Sequence, residues 1–222
     1  MKKVIITGAG GYIGSQFCQF LAKQGVEVLA ITRAKNNALT NLQGVSICKT
    51  PLSLLLLNEK KVDLNHVDAL YHLAWCGVKA NEKNCEDIQL QNIQLCMSAM
   101  QLAEKIGCKR IIIPGSASEY AYCGETITGQ NVAAPGDFYA ATKAAVHILC
   151  QQYAYQHGIP LNWLIVGSVY GPGRKGGNLI SYTIESMLCG KIPMFTKLEQ
   201  EWDYLYIEDF LRALYAVGKF GI

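Results

Sequence analysis

The chain has 222 residues, half of them hydrophobic, 17% charged, with a formal net charge of +3. A disordered chain needs low hydrophobicity and high net charge, so that class is excluded, and a small, scattered basic excess gives no patch for nucleic acid. The greasiest run, Leu52 to Leu57, spans six residues and already holds Ser53, against the roughly 20 apolar residues a membrane-crossing helix requires.

The first residues, Met1-Lys2-Lys3-Val4-Ile5-Ile6-Thr7-Gly8, imitate a signal peptide with two lysines before an apolar run. That run stops at a glycine cluster and reads as a buried strand, Lys3 to Thr7. Tyr12 to Gln24 has a helical pattern, with Ile13, Phe17, Phe20 and Leu21 on one face and Gly25 as its stop. Val26 to Thr32 and Val45 to Cys48 read as strands, as does Ala69 to Ala74. A long helix is expected over Asp87 to Ile106, closed by Gly107. Arg110 to Pro114 reads as a strand, Phe138 to His157 as a helix ending at Gly158, and Leu161 to Val166 as a further strand. Near-continuous apolar strands alternating with helices predict an α/β fold with a parallel sheet covered on both faces. Ligands of such sheets bind beyond the carboxyl ends of the strands.

Nine cysteines, none in a Cys-x-x-Cys pair, and four histidines without metal spacing predict no metal site. The cysteines read as reduced thiols serving as small core hydrophobes in a cytoplasmic protein.

Gly8, Gly11 and Gly14 follow the first strand with Gly-x-x-Gly-x-x-Gly spacing and open the first helix. This pattern suits a pyrophosphate: a tight turn, close backbone approach, and a helix N-terminus aimed at the anion. In NAD sites the second strand ends in an acid that binds the ribose hydroxyls. Here it ends Ile31-Thr32-Arg33, with Lys35 following and no Asp or Glu from Val28 through Asn58. Arg33 would attract a 2′-phosphate, so NADP is expected in preference to NAD.

Tyr139 and Lys143, four apart, share a helix face. An ammonium near a phenol favours the phenolate, and such a pair suits acid/base work on a carbonyl or alcohol. Past the strand Ile111 to Pro114 come Ser116 and Ser118. Either hydroxyl could hydrogen-bond a substrate oxygen as its charge changes.

Together these pieces resemble the extended short-chain dehydrogenase/reductases of the NAD(P)-dependent sugar epimerase/dehydratase family. The resemblance rests on Thr7-Gly8-x-x-Gly11-x-x-Gly14, Asp68-Ala69-x-Tyr71-His72-Leu73-Ala74, Asn92, Ser116-x-x-x-Tyr120, Tyr139-x-x-x-Lys143, Tyr170-Gly171-Pro172-Gly173 and Trp202-Asp203-Tyr204-x-Tyr206-Ile207-x-Asp209. It implies a Rossmann-type doubly wound parallel sheet over residues 1–170 and a small, incomplete substrate-binding region over 171–222. Ser116, Tyr139 and Lys143 are the implied catalytic residues, Ser116 preferred to Ser118 by its spacing to Tyr120. Lys143 would hold the nicotinamide ribose and lower the tyrosine pKa. Gly8, Gly11, Tyr12, Ile13, Gly14, Thr32, Arg33, Leu73, Ala74, Tyr139, Lys143 and Val169 would bind the cofactor. Ser116, Ser118, Asn178 and Leu179 would meet a nucleotide-sugar. Arg174, Lys175 and Lys197 are possible diphosphate contacts that read more readily as surface charge. His72 reads as a loop-orienting residue, Cys76 and Cys123 as bystanders near the cleft, and Trp202 as packing. The two long helices resemble those that pair in the family's homodimers.

The sequence also departs from the family pattern. Where dehydratases carry Asp-Glu after the catalytic hydroxyl, this chain has Ala117-Ser118, with Glu119 one place late. The third-strand exit, Lys49-Thr50-Pro51, offers no acid, and Ile165 stands where the family often has Arg. Relatives usually continue past the point where this sequence stops, at Ile222, which implies a partial chain or an open substrate pocket. The leading expectation is a nucleotide-sugar 4-keto-6-deoxy reductase. The alternatives are a 4-epimerase with retained cofactor and a non-catalytic dinucleotide sensor.

Overall fold

The structure, a computed structural model, describes residues 1–33, 39–49, 51–52, 62–124, 126–128, 130–174, 178–199 and 201–221. Lys35, Thr50, Lys175, Ile222 and most of the 52–57 run lie outside the described residues. Six parallel strands form the main sheet: β1 (Lys3–Thr7), β2 (Glu27–Ile31), β3 (Val45–Cys48), β4 (Ala69–His72), β5 (Ile111–Pro114) and β6 (Leu161–Leu164). Their order is β3-β2-β1-β4-β5-β6. The sequence turns back at β1, whose neighbours are β2 on one side and β4 on the other. This is the doubly wound Rossmann-type arrangement, and its switch point falls at the glycine cluster after β1.

The strands are apolar throughout because helices cover both faces. Ile5, Leu70 and Ile111 face a core with Cys96, Met100, Leu102 and Val146. Val4, Ile6 and Tyr71 face the opposite core with Phe17 and Leu21. Helices α2 (Glu86–Lys105) and α3 (Phe138–His157) pack side by side over the first face. Helix α1 (Tyr12–Lys23) covers the second. Asp137 caps α3 through the Ala140 N–H at 2.8 Å, and Gly158 ends it with φ of 63°. Five of the nine cysteines are buried; Cys18 and Cys96 take part in these cores as small apolar groups.

The C-terminal part holds four elements that the strand-helix alternation did not predict in place. These are β7 (Ser168–Tyr170), α4 (Leu179–Leu188), β8 (Tyr204–Tyr206) and α5 (Ile207–Phe220). β7 and β8 form a separate parallel pair, with Val169 opposite Leu205. α5 buries Ile207, Phe210, Leu211 and Leu214 in the same core as Phe17 and Leu21. The Tyr71 hydroxyl donates to the Leu214 carbonyl at 3.1 Å, and Arg110 donates to Val217 at 3.3 Å. Residues 207–220 share the core of helix α1.

Strand ends are also shorter than expected. β4 stops at His72, leaving Leu73 and Ala74 in the loop, and β6 stops at Leu164.

Candidate active site

The carboxyl ends of β1, β4, β5 and β6 open onto one cleft of about 450 Å³. It is lined by Gly8, Gly11, Tyr12, Ile13, Gly14, Leu73, Ala74, Ser116, Ser118, Tyr139, Lys143, Val169 and Asn178. Thr32 and Arg33 line an adjoining compartment of about 360 Å³, which shares Gly8, Gly11, Leu73 and Ala74 with the first. Leu179 lines neither. It stands partly exposed at the start of α4.

The glycine loop fits a dinucleotide. Gly8 has φ of 66°, and a Cβ there would stand 2.6 Å from the Ala74 nitrogen. A Cβ on Gly14 would stand 2.3 Å from the Gly8 carbonyl oxygen. Helix α1 begins without a side-chain cap and without an acid in its first turn. Its leading N–H groups and the positive end of its dipole are thus left for an anion.

Loop 73–77 is held from below. Thr7 Oγ1 lies 2.8 Å from His72 Nδ1 and accepts from the Ala74 N–H at 3.3 Å. His72 is 2% exposed, and burial followed by the nearby Lys143 charge pushes its pKa down to about 3. Neutral His72 therefore orients the loop. Asn92 brackets Cys76, accepting its N–H at 2.8 Å and donating to its carbonyl at 3.1 Å. Arg33 Nη2 reaches Cys76 Sγ at 3.5 Å. Cys123 lines neither compartment.

Ser116 caps a 3₁₀ turn, Ala117–Tyr120, and its hydroxyl accepts from the Ser118 N–H at 3.2 Å. The same hydroxyl is the side chain that favours the Tyr139 phenolate, against the effect of burial. Both serines line the cleft, and the Ser118 N–H supports the Ser116 hydroxyl. Glu119, one place too late for a dehydratase acid, receives the Ser116 N–H at 2.7 Å and completes the capping box.

Lys143 is held between a carbonyl and an aromatic face. Its ammonium donates to the Pro114 carbonyl at 2.7 Å and lies 3.8 Å from the Trp75 ring centroid. Burial lowers its pKa to about 8, with Cys96, Glu119 and Cys150 opposing that shift. The Tyr139 pKa is not pulled down. Burial raises it above the ordinary phenol value, and the Ser116 hydroxyl offsets this only in part. A phenolate here is opposed by desolvation, which outweighs the neighbouring hydroxyl.

Further side chains join these in the cleft, of which Trp75 and Lys83 belong to none of the motifs. Trp75, Lys83, Arg174 and Trp202 all line the cleft. Lys83 pairs with Asp137 at 3.7 Å and lies 5.0 Å from the Tyr139 ring centroid. Arg174 lies 5.4 Å from the Tyr12 ring centroid, so it belongs to the cleft and not to general surface charge. Trp202 was expected to pack. It is 64% exposed and donates to Ser168 Oγ at 2.7 Å. Asn178 is committed to its own helix: its side chain accepts the Ser181 N–H at 2.8 Å. Lys197 lies away from the cleft beside Glu199.

Residues 4–220 match the family described as NAD dependent epimerase/dehydratase family. The chain belongs to this family. The uncharacterized UDP-glucose epimerase YtcB of Bacillus subtilis is 27% identical over 98% of the chain and 73% of its own length. A UDP-glucuronate 4-epimerase of Thermodesulfobacterium geofontis is 24% identical over 99% of the chain and 72% of its own length. Among solved structures, the UDP-glucuronic acid 4-epimerase of Bacillus cereus, in complex with UDP-glucuronic acid and NAD, superposes with a TM-score of 0.81. It is 26% identical, and the match covers 97% of this chain and 72% of that one. Among the described residues no helix is long and apolar enough to cross a membrane.

Proposed function

We propose that this chain is a nucleotide-sugar 4-epimerase working with NAD, a reading that takes the place of the reductase expected from sequence. The observation that carries it is that Ser116, Tyr139 and buried Lys143 line one cleft with the glycine loop. The relatives it matches include named epimerases, and the Bacillus cereus structure holds NAD. When bound, the nicotinamide supplies a two-electron acceptor and donor. Tyr139 takes the proton from the sugar hydroxyl and later returns it. Ser116 hydrogen-bonds the same oxygen and holds it against the phenol. Lys143, titrating at about 8, stays charged at neutral pH and favours the phenolate that burial opposes.

The test is incubation of the purified chain with UDP-glucuronate, UDP-glucose or UDP-N-acetylglucosamine, without added cofactor, followed by proton NMR. Appearance of the C4 epimer is the expected result, and NAD should be released on denaturation. Conversion that consumes one NADPH per sugar would overturn this reading.

One observation favours a second reading, an NADPH-dependent reductase. Arg33 lies in the second compartment, where no acid among the described residues stands at the end of β2. Under that reading Arg33→Ala weakens NADP binding by roughly tenfold, the loss of one charged hydrogen bond, and leaves NAD binding unchanged. Under the epimerase reading NAD binds more tightly than NADP to the unaltered chain.

We also read the chain as a homodimer through α2 and α3. Both helices expose large apolar side chains, among them Leu90, Ile148 and Tyr155. Sedimentation velocity at twice the monomer mass supports this; a monomer at micromolar concentration overturns it.

A further inference from the structure

Lys143 is 6% exposed, and two groups hold its ammonium. One is the Pro114 carbonyl at the end of β5, at 2.7 Å. The other is the indole face of Trp75, at 3.8 Å from the ring centroid. The second indole nearby, Trp163, is farther, at 5.9 Å. Aromatic faces carry negative charge density and attract cations, most strongly where water is excluded.

Trp75 is itself fixed. Its Nε1–H donates to Gln89 Oε1 at 3.1 Å. Gln89 has no exposed surface, and its amide donates to the Gly77 carbonyl at 2.7 Å. Asn92 donates to the same Gln89 oxygen at 3.3 Å and brackets Cys76. The indole is therefore clamped to α2 through a buried amide pair. Its ring also meets Tyr139 edge-on, with centroids 5.9 Å apart. One side chain thus touches both members of the Tyr-Lys pair, with a rotamer set by hydrogen bonds on its far side.

We propose that Trp75 is a positioning residue for Lys143: its clamped indole face and the Pro114 carbonyl form a seat that keeps the lysine ammonium charged and fixed beside Tyr139. The importance of the seat for turnover rests on the epimerase reading above; the seat itself does not. The other groups facing Lys143 are Glu119 from the 3₁₀ turn, Cys96 from α2, Cys150 on α3 and His72 from β4. Glu119 also favours the ammonium, and His72 is held neutral by burial. Trp75 differs from these in acting through a ring face, which can be altered without adding or removing a charge.

The test reads the lysine directly, without substrate or cofactor. The Lys143 side chain is followed by NMR of [13Cε]lysine-labelled protein across pH, with its signal assigned by its loss in Lys143→Arg. Three proteins are compared: unaltered, Trp75→Phe and Trp75→Leu. A ring favours the charged form, so removing it lowers the midpoint. Trp75→Leu should shift the midpoint down by roughly half a unit to one and a half units, and Trp75→Phe should restore most of it. An unchanged midpoint in Trp75→Leu, or equal shifts in both variants, overturns the proposal. Should Trp75→Leu fail to fold, fluorinated tryptophan replaces it. Fluorine weakens the negative face with little change of shape, so the midpoint should fall as fluorines are added, and a constant midpoint overturns the seat. If the midpoint moves as expected but no UDP-sugar is converted, the epimerase reading fails and the seat stands.

Discussion

The carboxylate of Glu119, with no exposed surface, faces His147 Nδ1 across 3.6 Å. His147 stacks flat on Trp163, with ring centroids 4.6 Å apart, and the Trp163 Nε1–H points at the other Glu119 oxygen at 3.4 Å. The acid behind Ser116 is therefore walled by two rings. A Cβ on Gly115 would meet Trp163 Nε1 at 2.2 Å and Glu119 Oε1 at 2.6 Å, so the wall closes only around glycine.

Glu119→Ala strands the Ser116 amide and the Trp163 N–H without their acceptor. Buried orphan donors cost about 1–3 kcal/mol each. Urea unfolding should show a loss of that order, with Glu119→Gln much closer to the unaltered chain because its amide oxygen still accepts. Equal losses in the two variants would mean that charge, not hydrogen bonding, is what the site needs.

Tyr139→Phe removes the proton carrier and keeps the ring against Trp75. Turnover should fall by roughly 10²–10⁴, the usual worth of a positioned acid/base. Dinucleotide affinity, measured by calorimetry, should change little. A variant that keeps more than a tenth of the activity would move the proton-transfer role elsewhere.

Acid should destabilise the protein through His72. Its folded pKa, pushed down to about 3 by burial, lies below the ordinary 6.5 of an unfolded chain. The unfolded state thus binds the extra proton first. Stability contributed by neutral His72 is complete above pH 6.5 and declines toward pH 3, by at most about 1.4 kcal/mol per pH unit. His72→Asn offers Thr7 a non-titrating partner and should flatten that part of the curve. Parallel curves for the two proteins between pH 4 and 6.5 would show that His72 does not carry the effect.

Gly14→Ala drives a methyl group to 2.3 Å from the Gly8 carbonyl oxygen, an overlap with backbone that no rotamer relieves. The loop must shift, at about 1–3 kcal/mol, and dinucleotide binding should weaken at least tenfold. Gly107→Ala is the contrast. Nothing lies within 4 Å of its Cβ position, and it bears only the strain of φ 60°, so it should leave binding intact.

The sheet was legible because its strands obey a local rule. Val4, Ile5 and Ile6 are apolar in succession since each face has its own helices, and the glycine spacing records a steric need between Gly8 and Gly14. Ser116 over Ser118 needed either a family resemblance or coordinates, because both hydroxyls follow the same strand. The Ile207, Phe210, Leu211, Leu214 stripe has helical spacing, yet spacing does not say which layer a helix joins. Tyr71 and Phe17 decide that, far away in sequence. Trp75 was invisible for a similar reason. A tryptophan after a strand reads as packing until the lysine 68 residues later is seen to lie on its face. The cost of burying Lys143 has another cause: sequence places the charge four residues from the phenol, and only the fold shows that it is desolvated.

The pairing of Val169 with Leu205 has a consequence for the order of assembly. As the chain leaves the ribosome, residues 1–164 can close the six-stranded sheet and bring the phosphate loop, Ser116, Tyr139 and Lys143 together. The β7 edge of the cleft must wait for its partner strand, and α1 remains uncovered until Phe210 and Leu214 arrive. Domains fold from the N-terminal side during synthesis. A nascent chain halted near residue 190 should thus hold the glycine loop, Ser116, Tyr139 and Lys143 while its β7 edge is still unpaired, a condition that a bound ligand would stabilise before synthesis ends.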